Sequence, residues 1–465
     1  MNQTHKYIVI NNVIRKVFVV VLIVVVFSVL PCSALAEDKL PSDVVLVMGR
    51  VNILIHNNKI GKAVLVLKEY AEKHENQGSH YYIDFLMGNC FLMLDQADKQ
   101  SSGKKNFQPG TGNLKKAACA YTSAVKKKPD FSSAWLNLAK CRYDLGQNSK
   151  AAYAFIKGYE TADREKGENR AVYLYYASMC HTFTKDYQKA LAVFKRLLKM
   201  HPDEIKPEWK ETLVNILFSL EKYREALLYI EQLTRDFKGK KQKKWQKILL
   251  YQYISLNMDQ KALGYAKYLT KIDPLESMWW KALTHVHLNM DHVDQGLCSL
   301  IVYSYIKPLT QEEISLMADL YLASNIPVKA VQYYEKWLNN ESDKKNIFEK
   351  IKKLINASLA SFQNQKALYW IEKGLVLKND SDLVLIKADL LFEAKKYKAA
   401  FNAYKKLSKF KKYKGQALLM MGYAAWNEDR FDDAENCFKK AIKFKKQKKA
   451  ALMALKSIEQ RVKIR

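Results

Sequence analysis

What most constrains this chain is a phase. A small residue at the start of an amphipathic segment recurs at Ala63, Ala117, Ala151, Ala190, Ala226, Ala262, Gly296, Ala330, Ala367, Ala400 and Ala434. After the first interval the steps are 34, 39, 36, 36, 34, 34, 37, 33 and 34 residues. The unit is clearest at 416–446. There Leu418, Met421, Gly422 and Ala425 form one series, Asn427 to Asp429 a polar break, and Phe431, Ala434, Phe438 and Ala441 a second series. Spacings of three and four on both sides of a break predict two amphipathic helices folded into a hairpin. Gly422 and Ala434 read as points where two backbones come close, and Phe431 and Phe438 as fillers between hairpins. One hairpin buries too little surface to stand alone, so each implies neighbours of its own kind.

Three other stretches carry the pattern well. AWLNLAKCRYDLGQNSKAAYAFIKG places Trp135, Leu138, Ala139, Gly146, Ala151 and Phe155 in register. KDYQKALAVFKRLLKMHP does the same with Tyr187, Ala190, Phe194 and Pro202, and MDQKALGYAKYLTKIDP ends at Pro274. On these residues the sequence resembles the tetratricopeptide repeat family, whose unit is a 34-residue helical hairpin. Departures are Gly296 for the usual alanine, no Gly or Ala at the first crossing position of the 348–380 unit, and several missing terminal prolines. The resemblance covers nearly all of 44–448. It implies an all-α fold: a right-handed superhelical solenoid of about eleven antiparallel helical hairpins. Such a fold adds length without enlarging one core, so 465 residues are read as one elongated superhelix. Composition agrees, since 28 Tyr and 19 Phe against 16 Gly and 9 Pro leave little for β-turns or long linkers.

In chain order, residues 1–36 read as a targeting segment. Lys6, Arg15 and Lys16 without any acid precede the apolar run 17–30, and Ala34-Leu35-Ala36 follows. This order is that of a secretory signal peptide, cleaved after Ala36; the alternative is a retained N-terminal membrane anchor. Pro31 before Cys32 departs from bacterial lipoprotein signals. A solenoid is expected over 37–448, with a weakly matching first hairpin at about 44–77. The polar, Gly/Ser/Pro-bearing stretch 95–113 is predicted to be a loop inserted at the second hairpin turn. Longer joints are expected at 161–170 and at 235–247, the latter with seven basic residues against one acid. Trp245 shares a face with Leu249 and reads as a packing residue between repeats. Residues 449–465 should form a capping helix over the last hairpin.

Motifs for chemistry are lacking. The sequence has no GxGxxG, no GxxxxGK[ST] and no HExxH. The stretch 284–292 holds His285, His287 and His292 with Asp291 and Asp294 nearby, but the repeat phase puts a hairpin turn near Asn289 to Asp291, so no helical spacing brings these together. The expectation is no metal, no cofactor and no catalytic residue. Six cysteines lie beyond residue 36 (Cys90, Cys119, Cys141, Cys180, Cys298 and Cys437) with no CxxC; they read either as buried thiols or as pairs, Cys90–Cys119 or Cys119–Cys141. Net charge is +30, and +27 once Lys6, Arg15 and Lys16 are removed. Residues 401–465 alone hold 18 Lys/Arg against 6 Asp/Glu. With few arginines and an export signal, nucleic acid is not the expected partner. An anionic envelope polymer, a membrane surface or an acidic protein fits better, beside the plainer reading of a soluble lysine-rich surface.

Function is therefore expected from the scaffold. The family resemblance implies that partners bind the concave face lined by the first helix of each hairpin. On this sequence that face maps to Lys140, Tyr143, Tyr175, Met179, Lys247, Tyr251, Asp319, Asp389, Tyr423 and Trp426. The leading expectation is a non-enzymatic, protein-binding adaptor of the bacterial cell envelope, periplasmic or anchored facing the periplasm. Similar exported repeat proteins serve polysaccharide export or ion-driven energy transduction. The competing class is an enzyme with a site in the 95–113 loop.

Overall fold

Every hairpin turn after the second is closed by the same backbone device, and so is the first. Just past the first helix of each pair stands one residue in the left-handed region: Asn58, Gly146, Lys185, Glu221, Asn257, Asp291, Asn325, Phe362, Lys395 and Asp429, with φ between 54° and 71°. The next N–H then donates to the carbonyl five residues back at 2.8–3.0 Å, as in Lys59 to Leu54, Gln147 to Arg142 and Arg430 to Ala425. This is the Schellman closure, which satisfies carbonyls that a helix end leaves orphaned. Only Gly146 adopts that conformation without a Cβ penalty.

The structure, a computed structural model, describes residues 40–74, 79–101, 112–162, 170–339 and 347–464. The expected signal segment 1–36 lies outside them. The protein is all-α: 83% helical, with 23 α-helices and no strand among the described residues. It divides into two compact units, Met1–Gln252 and Tyr253–Arg465.

The first unit holds hairpins α1/α2 (Ser42–His56, Ile60–Lys73), α3/α4 (Tyr81–Ser101, Gly112–Lys127), α5/α6 (Ser132–Asp144, Asn148–Thr161), α7/α8 (Ala171–Phe183, Tyr187–Met200) and α9/α10 (Pro207–Ser219, Tyr223–Asp236). Helix α11 (Gly239–Ser255) runs across the division between the units. The second unit continues with α12 (Asp259–Ile272), then α13/α14 (Ser277–Asn289, Val293–Ile306) and α15/α16 (Gln311–Ala323, Pro327–Asn339). After these come α17/α18 (Ile347–Ala360, Asn364–Leu377), α19/α20 (Ser381–Glu393, Tyr397–Leu407), α21/α22 (Lys414–Trp426, Phe431–Ala441) and the terminal helix α23 (Lys448–Ile464).

The phase residues do what their size predicts. All ten marker alanines have no exposed surface, and Gly296 is buried with them. The glycines of the first helices have a different job from the one expected. A Cβ on Gly422 would meet the Phe438 ring at 2.5 Å, and one on Gly88 would meet the Tyr121 ring at 2.6 Å. They admit an aromatic ring from the second helix rather than a second backbone. Phe438 is fully buried beneath Tyr423 and Trp426, in a cluster that also takes in Ala451, Ala454 and Ile458 of α23.

Several boundaries differ from the sequence expectation. Helix α3 continues to Ser101, well into the stretch read as a loop from residue 95, and 102–111 lie outside the described residues. The basic joint at 235–247 is mostly helix: α10 ends at Asp236 and α11 begins at Gly239, whose φ of 58° turns the chain. Joint 161–170 is described only at its ends.

Candidate partner-binding face

Consecutive first helices are tied to each other, which makes them a continuous face within each unit. In the first unit the Tyr175 ring stacks on Trp209 at 4.7 Å, its hydroxyl lies 3.3 Å from the Thr212 hydroxyl, and Trp245 Nε1 donates to Glu211 at 3.0 Å. In the second unit Lys281 Nζ donates to Glu313 at 2.6 Å and Lys353 Nζ to Asp319 at 2.8 Å. The hydrogen-bonded partners stand 32 to 37 residues apart, about one repeat each.

One position on this face recurs, fifteen residues before a buried residue of the second helix. It holds Lys140, Met179, Asn215, Tyr251, His285, Asp319, Asn356, Asp389 and Tyr423. The residues fifteen places on, from Phe155 and Phe194 to Tyr334, Tyr404 and Phe438, are at most 4% exposed. In the second hairpin the same pairing spans the insertion, and the Tyr121 hydroxyl donates to Asn89 at 2.7 Å.

Electrostatics set this position apart from open surface. Lys140 and His285 are exposed, yet neighbouring protein desolvates both and lowers their pKa values. Asp319 and Asp389 are also desolvated, but the outcomes oppose. Asp319 accepts from the Tyr334 hydroxyl at 2.5 Å and from Lys353 at 2.8 Å, with Lys350 Nζ at 3.7 Å. These partners outweigh burial and hold its pKa below the ordinary value of 3.8. Asp389 accepts from the Tyr404 hydroxyl at 2.6 Å, and burial with Glu393 nearby pushes its pKa above 3.8. Both tyrosines are pushed well above their ordinary range by burial and by the carboxylate they serve.

The sequence-derived residues fall into three groups. Lys140, Asp319 and Asp389 occupy the recurring position with accessible surface, and Lys247 is exposed on α11. Tyr143, Tyr175, Tyr251, Tyr423 and Trp426 are half-buried; Tyr175 is committed to Trp209, Tyr143 lies 6.1 Å from Phe183, and Tyr423 and Trp426 cover Phe438. Met179 is buried, at 9% exposed. Sequence reasoning missed His285, Asn215 and Asn356 as members of the same stripe, although the fifteen-residue offset marks them.

Other candidate chemistry does not assemble. His287 is 4% exposed, and its ring centroid is 5.9 Å from that of His292. Among the described residues no three His, Cys, Asp or Glu side chains are grouped to hold a metal ion. The cysteine pairings are not made: Cys90 and Cys141 are buried while Cys119 faces outward, and burial pushes the Cys90 thiol up to about 12. No helix among the described residues is long and apolar enough to cross a membrane.

Comparison with known proteins supports the class. Residues 110–169 and 415–448 each match a tetratricopeptide repeat family model. The chain carries repeats of that kind, which serve in general as protein-interaction scaffolds. No curated protein matches the chain. Among solved structures it is similar to MamA protein (16% identity, 37% of this chain and 94% of that one, TM-score 0.31). It is also similar to a tetratricopeptide repeat protein from Parabacteroides merdae ATCC 43184 (14% identity, 66% and 97%, TM-score 0.29). Both likenesses are remote.

Proposed function

We propose that this protein is a non-enzymatic scaffold that binds a protein partner along the first-helix stripe, and that it does so in the bacterial cell envelope. The observation that carries the binding reading is the recurring position itself. That position is desolvated yet reachable at Lys140 in the first unit and at His285, Asp319 and Asp389 in the second, and its chemistry differs from one to the next. Within the second unit, a stripe that varies from His285 through Asp319 to Asp389 suits an extended partner read along it rather than one short motif gripped repeatedly. Asp389 is the point where a donor from that partner gains most, because among the described residues no lysine neutralises it as Lys353 does Asp319.

The test is affinity capture from detergent-solubilised cells with the wild type and two triple variants. Lys140→Glu/His285→Glu/Asn356→Arg alters exposed stripe positions, whereas Leu228→Ser/Tyr268→Ser/Tyr369→Ser alters exposed positions on second helices. The proposal expects the first variant to lose the partner and the second to keep it; the reverse pattern refutes it.

The envelope setting rests on the basic, apolar and small-residue order of 1–36. Sequencing the N-terminus of the protein from cells should give Glu37. An intact Met1 on membrane-embedded protein would establish the anchored form instead.

A further inference from the structure

Two consecutive linkers of the second unit carry the same four residues one period apart: Lys409-Phe410-Lys411-Lys412 and Lys443-Phe444-Lys445-Lys446. The second packs next to the residues that follow the first: a Cβ on Gly415, at the start of α21, would meet the Phe444 ring at 2.7 Å. Both phenylalanines are half-buried anchors, and all six lysines are exposed. Among the described residues only Lys412 has an ion-pair partner, Asp382.

The basic surface runs on into α23. Lys448, Lys449, Leu452, Met453 and Lys456 share one helical face and are all exposed, with Leu452 at 48% and Met453 at 63%. The opposite face, Ala451, Ala454 and Ile458, is packed against the Phe438 cluster. From Lys439 to Lys456 there are eight lysines and neither an acid nor an arginine. Compact, strongly hydrated ammonium groups without guanidinium forks suit a diffuse anionic surface rather than a shaped anion pocket. Two adjacent apolar side chains set among these lysines suit a surface with a nonpolar layer beneath its charge.

We propose that this C-terminal basic edge docks on an anionic phospholipid bilayer, with Leu452 and Met453 entering the headgroup boundary between flanking lysines. A soluble polyanion would satisfy the charges and leave the apolar pair unused.

The test is amine acetylation of the full-length protein, resolved lysine by lysine, with phosphatidylglycerol-containing or pure phosphatidylcholine vesicles. A site-resolved readout matters because the apolar run 17–30 could hold the chain on either vesicle without engaging this edge. Anionic vesicles should slow acetylation of Lys445, Lys448 and Lys449 at least about tenfold over neutral ones. Exposed lysines of the first unit, such as Lys189, should be unaffected. K443Q/K445Q/K446Q should cut the protection of Lys448 and Lys449 about tenfold, and L452S/M453S about threefold. Equal acetylation on the two vesicle types overturns the proposal. Equal protection by soluble polyphosphate, with L452S/M453S without effect on vesicles, would assign the surface to a polyanion and also overturn it.

Discussion

Hairpins α15/α16 and α19/α20 place the same two side chains at the same offset and obtain opposite results. In each, a fully buried tyrosine donates to an aspartate fifteen residues earlier, Tyr334 to Asp319 and Tyr404 to Asp389. Lys350 and Lys353 of the next first helix neutralise Asp319, whereas Asp389 has the nearby Glu393. The carboxylate is accordingly stabilised as an anion in one hairpin and disfavoured in the other. A repeat thus fixes where a group sits, while its neighbour one period on decides what that group can do.

The largest expected effect removes the ring that both hairpins share. Tyr404→Ala, Tyr334→Ala and, where phenylalanine fills the site, Phe438→Ala should each cost about 3–5 kcal/mol, since a fully buried ring leaves a cavity. Hydrogen exchange should show the loss concentrated in the altered hairpin and its neighbours; for Phe438→Ala that means α21, α22 and α23. Loss of protection throughout the unit would show a single cooperative block instead.

Removing only the hydroxyl should separate the two hairpins. Tyr404→Phe deprives a desolvated carboxylate of its hydrogen-bond donor and should cost about 1–2 kcal/mol, while Tyr334→Phe leaves Asp319 with Lys353 and should cost about 0.5–1 kcal/mol. Denaturant melts of the two variants give the difference, and equal costs would remove the distinction.

The third contrast is one of sign. Asp319 titrates below 3.8 when folded, so its contribution is present above that value and lost as pH falls through the folded pKa. Asp389 titrates above 3.8, so its contribution is present below that value and lost as pH rises through the folded pKa. Asp319→Asn should therefore destabilise at neutral pH by about 1 kcal/mol and converge on wild type in acid. Asp389→Asn should cost less at neutral pH and lose ground as pH falls. Melts between pH 3 and pH 7 read this directly, and slopes of the same sign would contradict it. The smallest effect is that of Lys440→Ala, two positions beyond the buried Phe438 on α22 but itself exposed, where the change in stability should stay within about 0.5 kcal/mol.

Much of this was legible in the chain. Small residues at the marker positions showed hairpin number and phase, and the structure buries all of them. Trp245 was readable as a packing residue from its spacing to Leu249, and both are buried. What sequence hid was partnership. Nothing in Asp319 or Asp389 alone says that a lysine one repeat later neutralises one and spares the other. Helix ends were also obscure: polar residues at 95–101 and lysines at 240–244 look like loop but have ample helix propensity. Burial within the candidate face was hidden too: Tyr175 stacks on Trp209 of the next first helix, and Met179 is buried.

A photo-cross-linking pair within one hairpin separates the first-helix stripe from the outer helices. A photoreactive side chain is placed at Asn356, on the first-helix stripe, or at Tyr369, outward on the second helix. In living cells the Asn356 probe should yield a discrete protein adduct and the Tyr369 probe none. An adduct from Tyr369 with none from Asn356 would contradict the account.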